Sequence, residues 1–438
     1  MRCSAESCLI CLRADSTIGS MTTASNTRLH YFDGIRGIAA LVVLNEHFLK
    51  LFAPSAYIDE AQWPLGSPGL DWLTYPPFNL LGNGAPAVTI FFVLSGWVLS
   101  RYIYREERVY WWAEGLKRYL RLMLPCLASL LLIYVVMLMS DFGAAGLVGQ
   151  LGSKEATFRS FGMGFGDVVE QGLVGTIFLQ DFRLNPPLWT LSVEFYGAIV
   201  IFGLAGLWGR LQAGGYMDRR AHHALQLIVP FGMLFVTTTS LMFGIFLGMF
   251  LHAVTTLAAV DRLLQRTRGW WTWLAAAVGF LLLAYMIRGS FQNPYIHISF
   301  WGMSKVYEYA YNAVGAGLIL LAAHYSPVAQ KILSHSFLLW LGKISFAMYL
   351  THYIVLMTLG TWLASKQGAG FAPGETFVLG AVVIPSVIVV AAIFEKLVDA
   401  PSIKLARASK ETVIGLAAKV VEWVRTNRGP APAFKDHV

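Results

Sequence analysis

Two ionisable side chains on one predicted helix raise the question of function. In YFDGIRGIAALVVLNEHFLK, residues 31–50, Arg36 stands before an apolar run that then admits Asn45, Glu46 and His47. Ionisable groups inside a bilayer are costly, so they mark a site or a pathway. Arg36 and His47 are eleven residues apart. On an α-helix that is three turns plus about 20°, so they share a face, roughly 16 Å apart along the axis. A guanidinium at a membrane surface suits a phosphate-bearing ligand, which it clamps with two parallel hydrogen bonds. An imidazole at depth suits a general base, because its pKa lies near working pH and dry surroundings can tune it. Glu46 points about 100° away around the helix, either to a separate partner or to orient a neighbour. The plain alternative makes Arg36 a membrane-edge anchor and His47 a hydrogen-bonded packing residue.

The elements that must hold these groups are membrane helices. The chain has 438 residues, 56% hydrophobic and 13% charged, where a soluble domain carries about 25% charged. The expected fold is all-α and polytopic, with helices near 35–52, 85–104, 120–140, 189–208, 223–237, 240–256, 271–287, 307–324, 338–363 and 376–398. That makes ten spans, with a soft point at 223–256, where Thr237, Thr238, Thr239 and Ser240 are the only break. Basic residues crowd into alternate loops: Arg101, Arg105, Arg108, Lys117, Arg118 and Arg121; Arg210, Arg219 and Arg220; Arg262, Arg266 and Arg268; then Lys404, Arg407 and Lys410 in the tail. The stretch 53–84 has no Lys or Arg. The positive-inside rule puts both termini and the basic loops in the cytoplasm, which an even number of spans satisfies. The aromatic, Gly/Pro-bearing loops 53–84 and 141–188 are expected over the other face.

The net charge of +8 reads as these loops, and no basic patch with a recognition module points to nucleic acid. The cysteines are Cys3, Cys8, Cys11 and Cys126; their spacing, without histidine, indicates neither zinc nor a disulfide framework. Residues 1–27 are Ser/Thr-rich and expected to be a disordered extension, 28–405 the transmembrane domain and 406–438 a cytoplasmic tail. No internal repeat of the kind found in inverted-repeat transporters is visible.

Six blocks of sequence, in order from about residue 31 to 405, carry a family resemblance. Arg36 and His47 behind Asp33-Gly34-Ile35-Arg36-Gly37, FFVLSGWVLS (91–100), KRYLRLMLP (117–125), PLWTLSVEFYG (187–197), ISFAMYLTH (344–352) and LVDAPSIKL (397–405) together resemble the membrane acyltransferase-3 family. The chain departs from the usual pattern in having Asn45-Glu46 before its histidine, and Asp399 where glutamate is common.

The resemblance implies an integral membrane acyltransferase that moves an acyl group, expected to be acetyl, from acyl-CoA to a hydroxyl. The acceptor is a carbohydrate, lipid or secondary metabolite. Acyl-CoA is the co-substrate, and neither a tightly bound cofactor nor a metal is implied. Arg118 and Arg121, at i and i+3 on one face, would join Arg36 as a cationic rim for the coenzyme's phosphates. His47 would be the general base. Glu194, one turn past Trp189, would bind or orient the acceptor, or is simply a helix-start carboxylate favoured by the dipole. Ser95-Gly96 would permit close helix packing, with Ser95 a possible substrate contact. His352 is either a second polar site residue or a buried partner of a backbone carbonyl. Asp33 is expected to cap the first helix. A proton-coupled transporter using His47, Glu46, Glu194 and His352 as a relay is the competing function.

Overall fold

The computed structural model describes residues 29–53, 77–104, 109–139, 164–215, 219–284, 305–367 and 373–427. The expected disordered extension with Cys3, Cys8 and Cys11, most of the loop stretch 53–84 and the first half of 141–188 lie outside these residues. In chain order the helices are α1 (His30–Phe52), α2 (Gly84–Ser100), α3 (Trp111–Met139), α4 (Phe165–Glu170), α5 (Trp189–Ala213), α6 (Arg219–Thr237), α7 (Met242–Thr256) and α8 (Ala258–Arg266). They continue with α9 (Arg268–Leu283), α10 (Lys305–Tyr325), α11 (Pro327–Leu333), α12 (Ser336–Val355), α13 (Thr361–Gln367), α14 (Pro373–Phe394) and α15 (Ala400–Asn427). No strand occurs among the described residues.

Helix α1 is an inner member of the bundle. Asp33, Arg36, Glu46 and Lys50 make it too charged to face lipid, yet most of its residues are buried against protein. That shielding is what lets a membrane helix carry such groups. The helix begins at His30, with Leu29 as its N-cap and no side-chain cap. Asp33 therefore sits in the first turn rather than capping it. The extra turn forms because Tyr31 and Phe32 have something to bury against: Phe32 packs edge-on to Trp97, ring centroids 5.5 Å apart.

Helices α1 and α12 run parallel, with Asp33 beside Gly342 at one end and His47 beside His352 at the other. Their backbones touch: a Cβ on Gly342 would fall 2.0 Å from the Asp33 carbonyl oxygen. Helices α2 and α7 cross in the same manner, and a Cβ on Gly96 would lie 1.8 Å from the Ile245 carbonyl oxygen. The expected packing role of Gly96 is thus met. Lipid is as apolar as leucine, so membrane helices gain from such small-residue contacts rather than from hydrophobic burial alone.

Five helical segments of the described chain are long and apolar enough to cross a membrane: Gly84–Ile103, Trp111–Met139, Pro186–Ala213, Ser336–Lys366 and Gly374–Val424. The number rises to seven if α7 with α8, bent by 86°, and α10 with α11, bent by 99°, each count as one. This is the support for the polytopic all-α class. The ten segments marked by hydropathy include three of other kinds. One is α1 with its charges, one is α6 with only a short apolar stretch (Ala224–Thr237), and one is α9, which ends at Leu283 near the edge of the described residues. The break expected at Thr237–Ser240 is present between α6 and α7. Five-residue π turns, Leu356–Gly360 and Glu395–Asp399, carry α12 into α13 and α14 into α15 without a loop. The border expected between domain and tail, 405/406, falls inside α15.

Candidate active site

A cavity of about 450 Å³ lies among α1, α2, α3, α5, α12 and α15. Arg36 comes from α1, Ser95 from α2, Arg118 and Arg121 from α3, and Glu194 from α5. Five of the side chains singled out in the sequence are therefore brought together, although they are spread over nearly 160 positions of chain. Arg101, Lys117 and Arg407 add three cations to the lining, against which stand only the carboxylates of Asp33 and Glu194. Their charge reads in sequence as ordinary cytoplasmic anchoring, so residue type alone does not distinguish them. Apolar side chains such as Phe91, Leu94 and Leu122 line the remainder.

The ionic groups are cross-braced. Arg118 donates to Glu194 at 2.8 Å, and the hydroxyl of Ser95 reaches the other carboxylate oxygen at 3.4 Å. Glu194 thus faces the arginines, and its placement is that of a counter-ion in the cationic cavity. Asp33 lies 3.9 Å from Arg36. Lys117 bonds Glu114 and also donates to the Tyr102 hydroxyl at 2.9 Å.

His47, His352 and Glu46 stand outside this lining, at the inner end. The cavity reaches Tyr349 and Thr190, whose hydroxyls are 2.7 Å apart. From there a line of rings continues: Tyr349 to His352 at 6.0 Å between centroids, and His352 to His47 at 4.9 Å, edge to face. Val88 marks the cavity's end on α2. One helical turn, about 6 Å, separates it from Gly84, the residue that Glu46 touches.

Both histidines are held by their own helices. His47 Nδ1 donates to the Val43 carbonyl at 2.9 Å, and His352 Nδ1 to the Met348 carbonyl at 3.1 Å. A carbonyl only accepts, so each Nδ1 carries a proton and Nε2 is the atom left to exchange one. His352 Nε2 is buried with no hydrogen-bond partner among the described residues. Glu46 is buried and pairs with Lys50 at 3.0 Å. Its second oxygen is 3.9 Å from His47 Nδ1, beyond hydrogen-bond length. Glycine at position 84 leaves room for that carboxylate: a Cβ there would fall 1.7 Å from its oxygen. The carboxylate thus abuts the start of α2, where the helix dipole favours negative charge.

The arrangement can hold a polyanion at one end and move a proton at the other. A family model described as an acyltransferase domain, of the acyltransferase-3 type, matches residues 29–396. The chain is 26% identical over 386 residues to the O-acetyltransferase PaAT-1 of Phomopsis amygdali, covering 77% of this chain and 74% of that protein. It is 23% identical over 456 residues to the acyltransferase clz18 of Cochliobolus lunatus, covering 85% and 93%, respectively. With the acyltransferase R4 of a Phoma species it shares 24% identity over 451 residues, covering 85% and 94%. No solved structure matches it. With its motifs in order, its apolar helices and a family match across most of its length, the chain belongs to the acyltransferase-3 family and is an integral membrane acyltransferase.

Proposed function

We propose that the cavity takes acyl-CoA, that the acyl group is acetyl, and that His47 is the base that activates an acceptor hydroxyl. The observation that carries this reading is the cavity's charge: six cations against two carboxylates, at one end of a space whose inner end meets a histidine pair. Coenzyme A is anionic at its nucleotide end and neutral along its pantetheine arm, and the lining changes in the same sense, from arginines to Phe91, Val88 and Tyr349. The roughly 16 Å between Arg36 and His47 along α1 is of the order of that arm.

In this mechanism His47 Nε2 accepts the proton of the acceptor hydroxyl as its oxygen attacks the thioester carbonyl. The C–S bond breaks, and the departing thiolate takes the proton from the imidazolium. Glu46 favours that transient cation. For the thioester to meet His47, the cavity must lengthen by about one helical turn past Tyr349 when the donor is bound. The termini face the cytoplasm, so that the donor enters from there. The parallel course of α1 and α12 fits the expected order of spans, in which seven lie between them.

The competing transporter reading draws no support from the cavity, because the histidines and Glu46 lie outside its lining. The test is thioester consumption by purified protein in detergent, read as free thiol, with acetyl-CoA and a panel of hydroxyl acceptors. Acetyl-CoA is expected to be consumed faster than longer acyl-CoAs. No thiol release across several chain lengths overturns the donor assignment.

A further inference from the structure

The cavity takes two of its lining residues, Ile403 and Arg407, from α15, beyond residue 396 where the family match ends. We propose that Arg407 recognises the 3′-phosphate of the donor nucleotide, so that the C-terminal helix sets selectivity for the phosphorylated coenzyme. This rests on the acyl-CoA reading above.

The placement of Arg407 is fixed by an ionic clamp one turn beyond it. Lys410 donates to one oxygen of Glu114 on α3 at 2.5 Å, while Lys117 takes the other oxygen. Glu114 is only 3% exposed, and a buried carboxylate with two ammonium partners does not let either go cheaply. Farther along, Asp399 lies within electrostatic reach of Arg121 and Arg36. Helices α15 and α3 therefore run antiparallel, with Lys410 opposite Glu114 and Asp399 opposite Arg121. Arg407 falls between these levels and lines the cavity together with Lys117 and Arg118. Arg36 and Arg121 are farther in, toward Tyr349.

The order of cations along the cavity then matches the order of charges on the coenzyme. With the thiol end toward the histidines, the pyrophosphate lies inward and the ribose 3′-phosphate outermost, at the level of Arg407. The two carboxylates of the lining are engaged elsewhere: Glu194 with Arg118 at 2.8 Å, Asp33 near Arg36 at 3.9 Å. Lys117 is bound to Glu114 and Tyr102. At that level the lining arginines are Arg407 and Arg101, and the planar fork of Arg407 gives a phosphate two parallel hydrogen bonds where lysine gives a point charge.

The experiment is calorimetric binding of coenzyme A and 3′-dephospho-coenzyme A to the full-length protein in detergent, for the wild type, R407Q and R407K. The wild type is expected to bind coenzyme A about tenfold to a hundredfold more tightly than the dephospho form. R407Q should weaken coenzyme A by that factor and leave the dephospho ligand within about twofold, and R407K should fall between. If R407Q does not stay monodisperse, R407K alone decides, since its ratio between the two ligands must shrink. Equal weakening of both ligands, or an unchanged ratio, overturns the assignment. A wild type that binds coenzyme A and releases thiol from acetyl-CoA while R407Q keeps full discrimination refutes this inference alone. A wild type that binds neither ligand and consumes no thioester refutes the donor reading, and this inference with it.

Discussion

The cationic cavity and the histidine pair hold their polar groups in different ways. In the cavity, charge is held by charge from another helix: α3 to α5 through Arg118 and Glu194, α15 to α3 through Lys410 and Glu114. At the histidines, each ring is held by a carbonyl of its own helix, four residues earlier. The first arrangement supplies an electrostatic field shared by six cations, and the second supplies a fixed tautomer on one atom. Damage should therefore be spread out in the cavity and concentrated at the histidines.

The largest effect belongs to His47. His47→Ala is expected to lower kcat by about 10²- to 10⁴-fold, the usual worth of a general base, with expression and detergent elution unchanged. A loss in donor affinity instead of kcat would erase the division between the two regions. Next comes Arg36→Ala, expected to raise the donor KM about tenfold to a hundredfold while kcat changes little, as measured by thiol release against acetyl-CoA concentration. His352→Phe keeps an aromatic edge against His47 but removes the orphaned Nε2. A fall in kcat of roughly twofold to tenfold, without a change in donor KM, would mark His352 as a positioning residue. The smallest effect is ionic. Raising salt from about 0.1 M to about 1 M shortens the screening length from roughly 10 Å to roughly 3 Å, so donor KM should rise a few-fold in the wild type. The same rise should be smaller in Arg36→Ala, because one source of the field is gone.

Much of this molecule was legible from residue type and spacing. Helix α1 is expected from its apolar run and is present, with Arg36 in the cavity lining and His47 beyond it. The Thr237–Ser240 break and the packing at Gly96 were also as expected. Three things were hidden. Basic residues near helix ends look alike in sequence, so Arg407 and Lys117 could not be told from membrane anchors. Only the antiparallel contact of α15 with α3 turns them toward the cavity. Glu194 reads in sequence as either an acceptor-binding acid or a helix-start carboxylate, and nothing in the sequence says that α3 and α5 meet at Arg118. Between the cavity and His352 stands the ring of Tyr349, whose hydroxyl contacts Thr190 and the Pro187 carbonyl. These are long-range contacts, and periodicity along one helix carries no information about them. The start of α1 at His30 is a smaller instance, since tertiary burial of Phe32 on Trp97 extends the helix past Asp33.

The division of labour is tested most directly by binding and turnover of one variant measured together. His47→Ala should bind coenzyme A as tightly as the wild type, by calorimetry, and release thiol from acetyl-CoA at least about 10²-fold more slowly in the presence of an acceptor. Wild-type thiol release by His47→Ala, or loss of coenzyme A binding along with activity, would contradict a site in which the arginines hold the donor and the histidine performs the transfer.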